Sequence, residues 1–339
     1  MKKMLSFVLT LSLFLSLSIT TALASSISQE RTVPNTKVGF DKVKDQLKSL
    51  HKLGYLDKDY SYDTFSDYKP KYFEKYNGNL DIYNESTQII ALDTTTKKQI
   101  NDIQKIIDAA DTNSLVTPQK SSLAFFEVKF FFGVGNADTT DAEIINTGTV
   151  LRCWGIGCPK EYEIKLRTLV STNQYGSYGI YASISEDARV LEDVIDTEKI
   201  YNTHFWKYDN IIYAEKDPSW PAGAQNGTIP LLLNKKGLAY PLNYSDPQSG
   251  IPLYVPPTNL PVNQVTRSND YRSKFISYYE GNWGTPTKFT WGQVEVHHMK
   301  PLKYGGSNDF YNLIPLMNYF SSSNTILKHS QLTRWWDSY

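Results

Sequence analysis

The stretch VEVHHMKPLKYGGSNDFYNLIPL, residues 294–316, decides how the C-terminal part of the chain is read. Val294 and Val296 alternate with polar neighbours, so a short strand is expected that ends at His297 and His298. Successive side chains of a strand point to opposite faces, so the two imidazoles can have separate jobs. Gly305, Gly306, Ser307 and Asn308 have the composition of a tight loop. Residues 312–316, NLIPL, then read as a returning strand, and the stretch through HSQLTRWWDSY at 329–339 as a helix, giving a β-β-α unit.

Upstream of this unit the segment from Trp220 to Pro261 is rich in proline, with Pro241, Pro247, Pro252, Pro256, Pro257 and Pro261 closely spaced. A ring that fixes φ and removes the N–H donor argues against helix there, so 238–261 is read as an extended linker at a domain boundary. Before it, LAFFEVKFFFGVG (123–135), GTVLRCWGIGC (148–158), YEIKLRTLVS (162–171) and YGSYGIYASIS (175–185) are β-branched and aromatic runs broken by Gly, Asn and Asp. They predict a β-rich domain over 121–237, a sandwich or small barrel with no polar constellation that names a function. Residues 25–120 contain two stretches with helical spacing, FDKVKDQLKSLHKLGYL (40–56) and TTTKKQINDIQKIIDAA (94–110), so a helical N-terminal region is expected. His51 and His204 have readings as local packing or surface residues.

The N-terminus sets the compartment. Lys2 and Lys3 precede an apolar run from Leu5 to Leu23, and Ala22-Leu23-Ala24 is a small-x-small cleavage pattern, so residues 1–24 are read as a signal peptide and the mature protein as secreted. The rival reading is an uncleaved membrane anchor. No later run is long enough to span a bilayer, so no stable membrane association is expected after cleavage. Export bears on Cys153 and Cys158, which have four residues between them in a strand-like context: a disulfide closing a hairpin is favoured over half of a zinc site, which would need two more ligands nearby.

Composition sets wider bounds. With 24 tyrosines, 14% aromatic and 40% hydrophobic residues, the chain favours strands and aromatic-lined clefts over disorder. Net charge is zero, but residues 260–339 carry eight Lys/Arg against five Asp/Glu, which makes the C-terminal end the one suited to meeting phosphate.

The pair His297-His298, Pro301, the GGSND loop, NLIPL and a C-terminal His ahead of TRWW together resemble the HNH/endonuclease VII superfamily of ββα-metal nucleases, and more narrowly the nuclease tips of bacterial secreted polymorphic toxins. The likeness covers about residues 238–339. It implies a ββα-metal nuclease domain at 262–339 and says nothing about residues 25–237; joined to the pattern readings above, it makes the expected chain α+β, with a helical N-terminal region at 25–120, a β-rich middle domain at 121–237 and a linker at 238–261.

The resemblance also implies roles. His297 would be a metal ligand, His298 the general base, and Asn312 the residue that holds the loop and orients the base. His329 is the expected further ligand, with Asn318 or Asn324 as alternatives. One divalent ion, Mg, Zn or Ni, would be the cofactor, since imidazole-rich sites accept several metals. Lys300, Lys303 and Arg334 are candidate phosphate contacts, each with an equal reading as a solvated surface charge; Trp335 and Trp336 are read as pinning the helix rather than stacking bases. The implied activity is phosphodiester hydrolysis on DNA, with RNA-cleaving toxin or inactive partner-binding protein as alternatives. An immunity partner would accompany a toxin, whereas a scavenging extracellular nuclease needs none.

Overall fold

The computed structural model describes residues 67–92, 124–155, 159–213, 221–226 and 230–339, with isolated helical positions at 45, 48, 49 and 52. The expected signal peptide, the helix expected over 94–110, His51 and Cys158 lie outside the described residues.

Two antiparallel sheets share one core. The first has the order β1 (Leu80–Leu92), β2 (Ala124–Gly135), β3 (Glu143–Gly155), β6 (Asp193–Lys199). The second has the order β5 (Gly179–Ala188), β4 (Tyr162–Ser171), β7 (His204–Tyr213), β8 (Pro221–Asn226), with β9 (Leu231–Leu233) also pairing with β7. Phe126, Val128 and Phe130 of β2 meet Tyr162, Ile164 and Leu166 of β4, all essentially without solvent exposure. Burying side chains of this size contributes about 1.5–3 kcal/mol each. Between the sheets Asn146 of β3 and Asn210 of β7 exchange amide hydrogen bonds at 2.9 and 2.7 Å, which satisfies both buried side chains.

The other face of β2 is covered as well. Phe131 packs edge-on against Phe73 at 5.2 Å, from the 3-10 turn Lys71–Tyr76. Buried charges on that face are paired, Arg152 with Glu127 at 2.6 Å and Lys129 with Glu85 at 2.6 Å, as burial demands. Cys153, near the end of β3, is disulfide-bonded, and among the described residues no cysteine is free.

The C-terminal part is built on the hairpin β10 (Val294–His298) and β11 (Leu313–Met317), flanked by α1 (Tyr271–Trp283) and α2 (His329–Asp337). Each face of the hairpin has its own core. Val294, Val296, Leu313 and Met317 pack with Phe275 and Tyr279 of α1, whereas Ile314 and Leu316 pack with Leu332, Trp335 and Trp336 of α2. No helix among the described residues is long and apolar enough to cross a membrane.

The α+β division expected from the sequence is therefore corrected. Most of the regular structure among the described residues is strand, and the described part of the region expected to be helical shows only isolated α-helical positions, one 3-10 turn and a strand. Residues 80–92 of the region expected to be helical form β1, which pairs along its length with β2. A strand as apolar as β2 has backbone donors and acceptors on both edges, and β1 satisfies one set while β3 satisfies the other.

Nor does the C-terminal part form a separate ββα domain. Its core takes in Phe205 of β7 and Leu232 of β9, and Asn234 Nδ2 donates to the Trp335 carbonyl at 2.8 Å. The Pro-rich stretch expected as a linker supplies Tyr240 and Leu253 to that same core. Proline keeps this stretch extended, but the apolar side chains between the prolines still gain by burial.

Candidate active site

Hairpin register sorts the functional side chains. His298 is opposite Leu313, on the face that carries Val294 and Val296, so it turns toward α1; its ring centroid is 4.8 Å from that of Tyr271. His297 is opposite Ile314 and turns toward α2, where His329 is the first helical residue. Those two rings meet edge-on, centroids 4.8 Å apart and planes at 77°. All three histidines line one cleft of about 660 Å³, together with Arg267, Tyr271, Glu295 and Lys303.

The loop between the strands is fixed by backbone shape and one amide. Gly305 has φ +81°, a conformation that side chains with a Cβ rarely adopt. At Gly306 an added Cβ would come within 1.8 Å of the Lys300 carbonyl oxygen. Asn312 is buried and clamps the loop: its Oδ1 accepts from the Lys300 N–H at 2.8 Å, and its Nδ2 donates to the carbonyls of Lys300 at 3.0 Å and Ser307 at 2.8 Å.

This clamp delivers Asn308, not Asn312, to the imidazole of His298. Asn308 Nδ2 donates to the Thr266 carbonyl at 2.9 Å, and Oδ1 accepts from the Ser268 N–H at 3.1 Å, so turning the amide over would break both bonds. The atom 3.1 Å from His298 Nε2 is therefore an acceptor, which assigns the proton of the neutral ring to Nε2 and leaves the lone pair on Nδ1.

Electrostatics keep the three imidazoles neutral. Burial pulls the pKa of His297 down to about 3, aided by His329, His298 and Arg267. Burial likewise lowers His298, with Arg267 adding to the effect and the Asn308 hydrogen bond opposing it. His329 is lowered by burial, against the pull of the Glu295 carboxylate. Neutral imidazoles offer lone pairs to a proton or a metal at pH 7. His297 Nε2 is buried with no hydrogen-bond partner, a cost of about 1–3 kcal/mol that a ligand would relieve. Among the described residues no group of three His, Cys, Asp or Glu side chains is placed to hold a metal ion; His297 and His329 are an adjacent pair of imidazole donors in the cleft.

The other expected residues are scattered. Lys303 lines the cleft, whereas Lys300 contributes its backbone to the Asn312 clamp. Arg334 pairs with Asp138, on the loop between β2 and β3, and lies outside the cleft lining. Trp335 and Trp336 are buried in the α2 core. Sequence reasoning passed over Arg267 and Tyr271 and gave Glu295 no role; all three line the cleft. Among the described residues no carboxylate pairs with Arg267, whose guanidinium lies 5.6 Å from the Tyr271 ring centroid. Asn308 was visible in the GGSND loop, but nothing local distinguished it from its neighbours.

Compared with family models, curated proteins and solved structures, the chain finds no match.

Proposed function

We propose that this cleft hydrolyses phosphodiester bonds of nucleic acid, DNA in preference to RNA, in a metal-dependent reaction of the kind implied by the resemblance to HNH nucleases. One juxtaposition carries the reading: consecutive residues send one imidazole to a second imidazole, with a buried unpartnered nitrogen, and the other to an amide that fixes its tautomer.

A divalent cation, when bound, would neutralise charge growing on the phosphate and leaving oxygen. His297 and His329 would hold it, and their depressed basicity keeps them available to do so. His298 accepts the proton of the attacking water at Nδ1. The imidazolium that results keeps its Nε2–H directed at Asn308 Oδ1, which stabilises the new charge as well as the ring orientation. Arg267 and Lys303 sit on the cleft wall and bind phosphate oxygens. Tyr271 packs against the His298 ring and limits its rotation.

An extracellular setting fits a chain that opens with a signal-like segment and holds a disulfide-bonded cysteine. The test is digestion of plasmid DNA and total RNA by purified protein with Mg, Mn, Zn or Ni, with and without a chelator, beside His298→Ala. Cleavage abolished by both chelator and substitution is expected. Intact nucleic acid with every metal would remove the proposal.

A further inference from the structure

The α1 surface beyond Tyr271 carries a second feature. Tyr278 and Phe310 stack face to face, centroids 4.2 Å apart and planes at 11°. They floor an open hollow of about 470 Å³ completed by Ser273, Lys274 and Ser277. Tyr278 remains 37% exposed, although the neighbouring aromatics Phe275 and Tyr279 are fully buried in the hairpin core. The hollow is thus lined by an aromatic pair, two hydroxyls and an ammonium group, with no carboxylate in its lining.

Its position ties it to the cleft. Tyr271, Lys274 and Tyr278 have spacings of three and four residues, which set them along one side of α1, and Tyr271 lies against His298. From Tyr271 to Tyr278 the helix rises about 10 Å. Phe310 is two residues past Asn308, so the same loop that holds the base also brings one of the stacked rings.

We infer that the hollow on α1 is a stacking site for an unpaired base of the substrate strand, so that the enzyme takes single-stranded nucleic acid in preference to duplex. This rests on the nuclease reading for the word substrate, but the binding it describes stands alone. An aromatic face accepts any base, since every base has a π-face, while Lys274 meets the backbone phosphate beside it. In a duplex both faces of each base are occupied by neighbours, so only an unpaired base can enter. Lys274 is paired with Asp270 at 2.7 Å in an exposed position, a contact a phosphate can replace at little cost.

Binding is measured in EDTA, where no hydrolysis confuses it, with fluorescent oligothymidylate and a blunt-ended two-strand duplex of equal length. The wild type is expected to hold the single strand more tightly. Tyr278→Leu should weaken that binding by roughly fivefold to a hundredfold, the span of base–aromatic stacking, and leave duplex binding unchanged. Tyr278→Phe should retain it, which separates stacking from loss of fold, and one abasic position in the oligonucleotide should reproduce the Tyr278→Leu loss. Equal affinity of wild type and Tyr278→Leu for the single strand, or tighter binding of duplex, overturns the inference even if the protein cuts DNA. Tyr278-dependent binding in a protein that cuts nothing upholds the stacking site and removes only the nuclease reading.

Discussion

The amide of Asn308 and the imidazole of His298 are matched donor to acceptor: Oδ1 lies 3.1 Å from Nε2, and the Thr266 carbonyl and Ser268 N–H hold the amide in that sense. Asn308→Ala is expected to lower turnover about 10- to 100-fold, the usual cost of losing a group that orients an acting imidazole. Asn308→Asp places a carboxylate against the ring, raises the pKa of His298 and so protonates the base at higher pH. The acidic limb of the pH–rate profile should then move upward, a shift that mere loosening of the loop would not cause. Superimposable profiles for Asn308→Asp and wild type would dismiss the positioning role.

The two arginines named for phosphate separate cleanly. Arg267 lines the cleft and Arg334 is held by Asp138 at the β-sheet side. Arg267→Ala should reduce kcat/KM by roughly 10- to 100-fold, since a hydrogen bond to a charged group is worth about 1.5–3 kcal/mol. Arg334→Ala should leave kcat/KM unchanged and cost at most about 1 kcal/mol of stability, as exposed ion pairs do. Steady-state kinetics on one oligonucleotide decide it, and the reverse ranking would refute this placement of the phosphate.

Gly306 and Gly281 predict opposite outcomes for the same substitution. At Gly306 a methyl group meets the Lys300 carbonyl oxygen at 1.8 Å and Asn312 Nδ2 at 2.8 Å, so Gly306→Ala must spread the clamp and should lose about 1–3 kcal/mol, with activity falling alongside. Gly281 lies in α1 with nothing within 4 Å of an added Cβ, so Gly281→Ala should gain up to about 1 kcal/mol. Urea denaturation of both variants checks the signs.

Asp196 of β6 is buried and accepts a hydrogen bond from the Thr168 hydroxyl at 3.2 Å. Burial raises its pKa in the folded protein. A raised folded pKa means the native state holds the proton more tightly than the unfolded chain, so the contribution favours folding below the unfolded pKa and is lost as pH rises through the folded one. Asp196→Asn removes the charge and is expected to raise Tm at pH 7, the gain shrinking on acidification. A gain that grows toward low pH would contradict the assignment.

Of the candidate site, the parts legible in the sequence were those decided by local sterics. The alternation of VEVHH sends His297 and His298 to opposite sides, and a Gly-Gly pair permits a turn too tight for any Cβ. Asn312 was named as the loop holder through the resemblance alone, not through local sterics; in the structure its amide bonds the loop carbonyls of Lys300 and Ser307. Which side chain meets His298 was not legible. Asn308 reaches it only because residues 263–268 lie against the loop, through Asn263 N–H to the Lys303 carbonyl and Val265 N–H to the Leu302 carbonyl, each at 2.9 Å.

The sequence by itself determined the strand-and-loop character of residues 294–316 and the histidines presented there, because side-chain period and turn sterics act over a few neighbouring residues. Only the tertiary structure decided that β1 joins the sheet of β2, that the Pro-rich stretch enters the α2 core with Phe205, and that Arg267 faces the histidines. Those pairings link residues far apart in the chain, and which apolar faces are buried together depends on the packing of the whole molecule rather than on any local pattern.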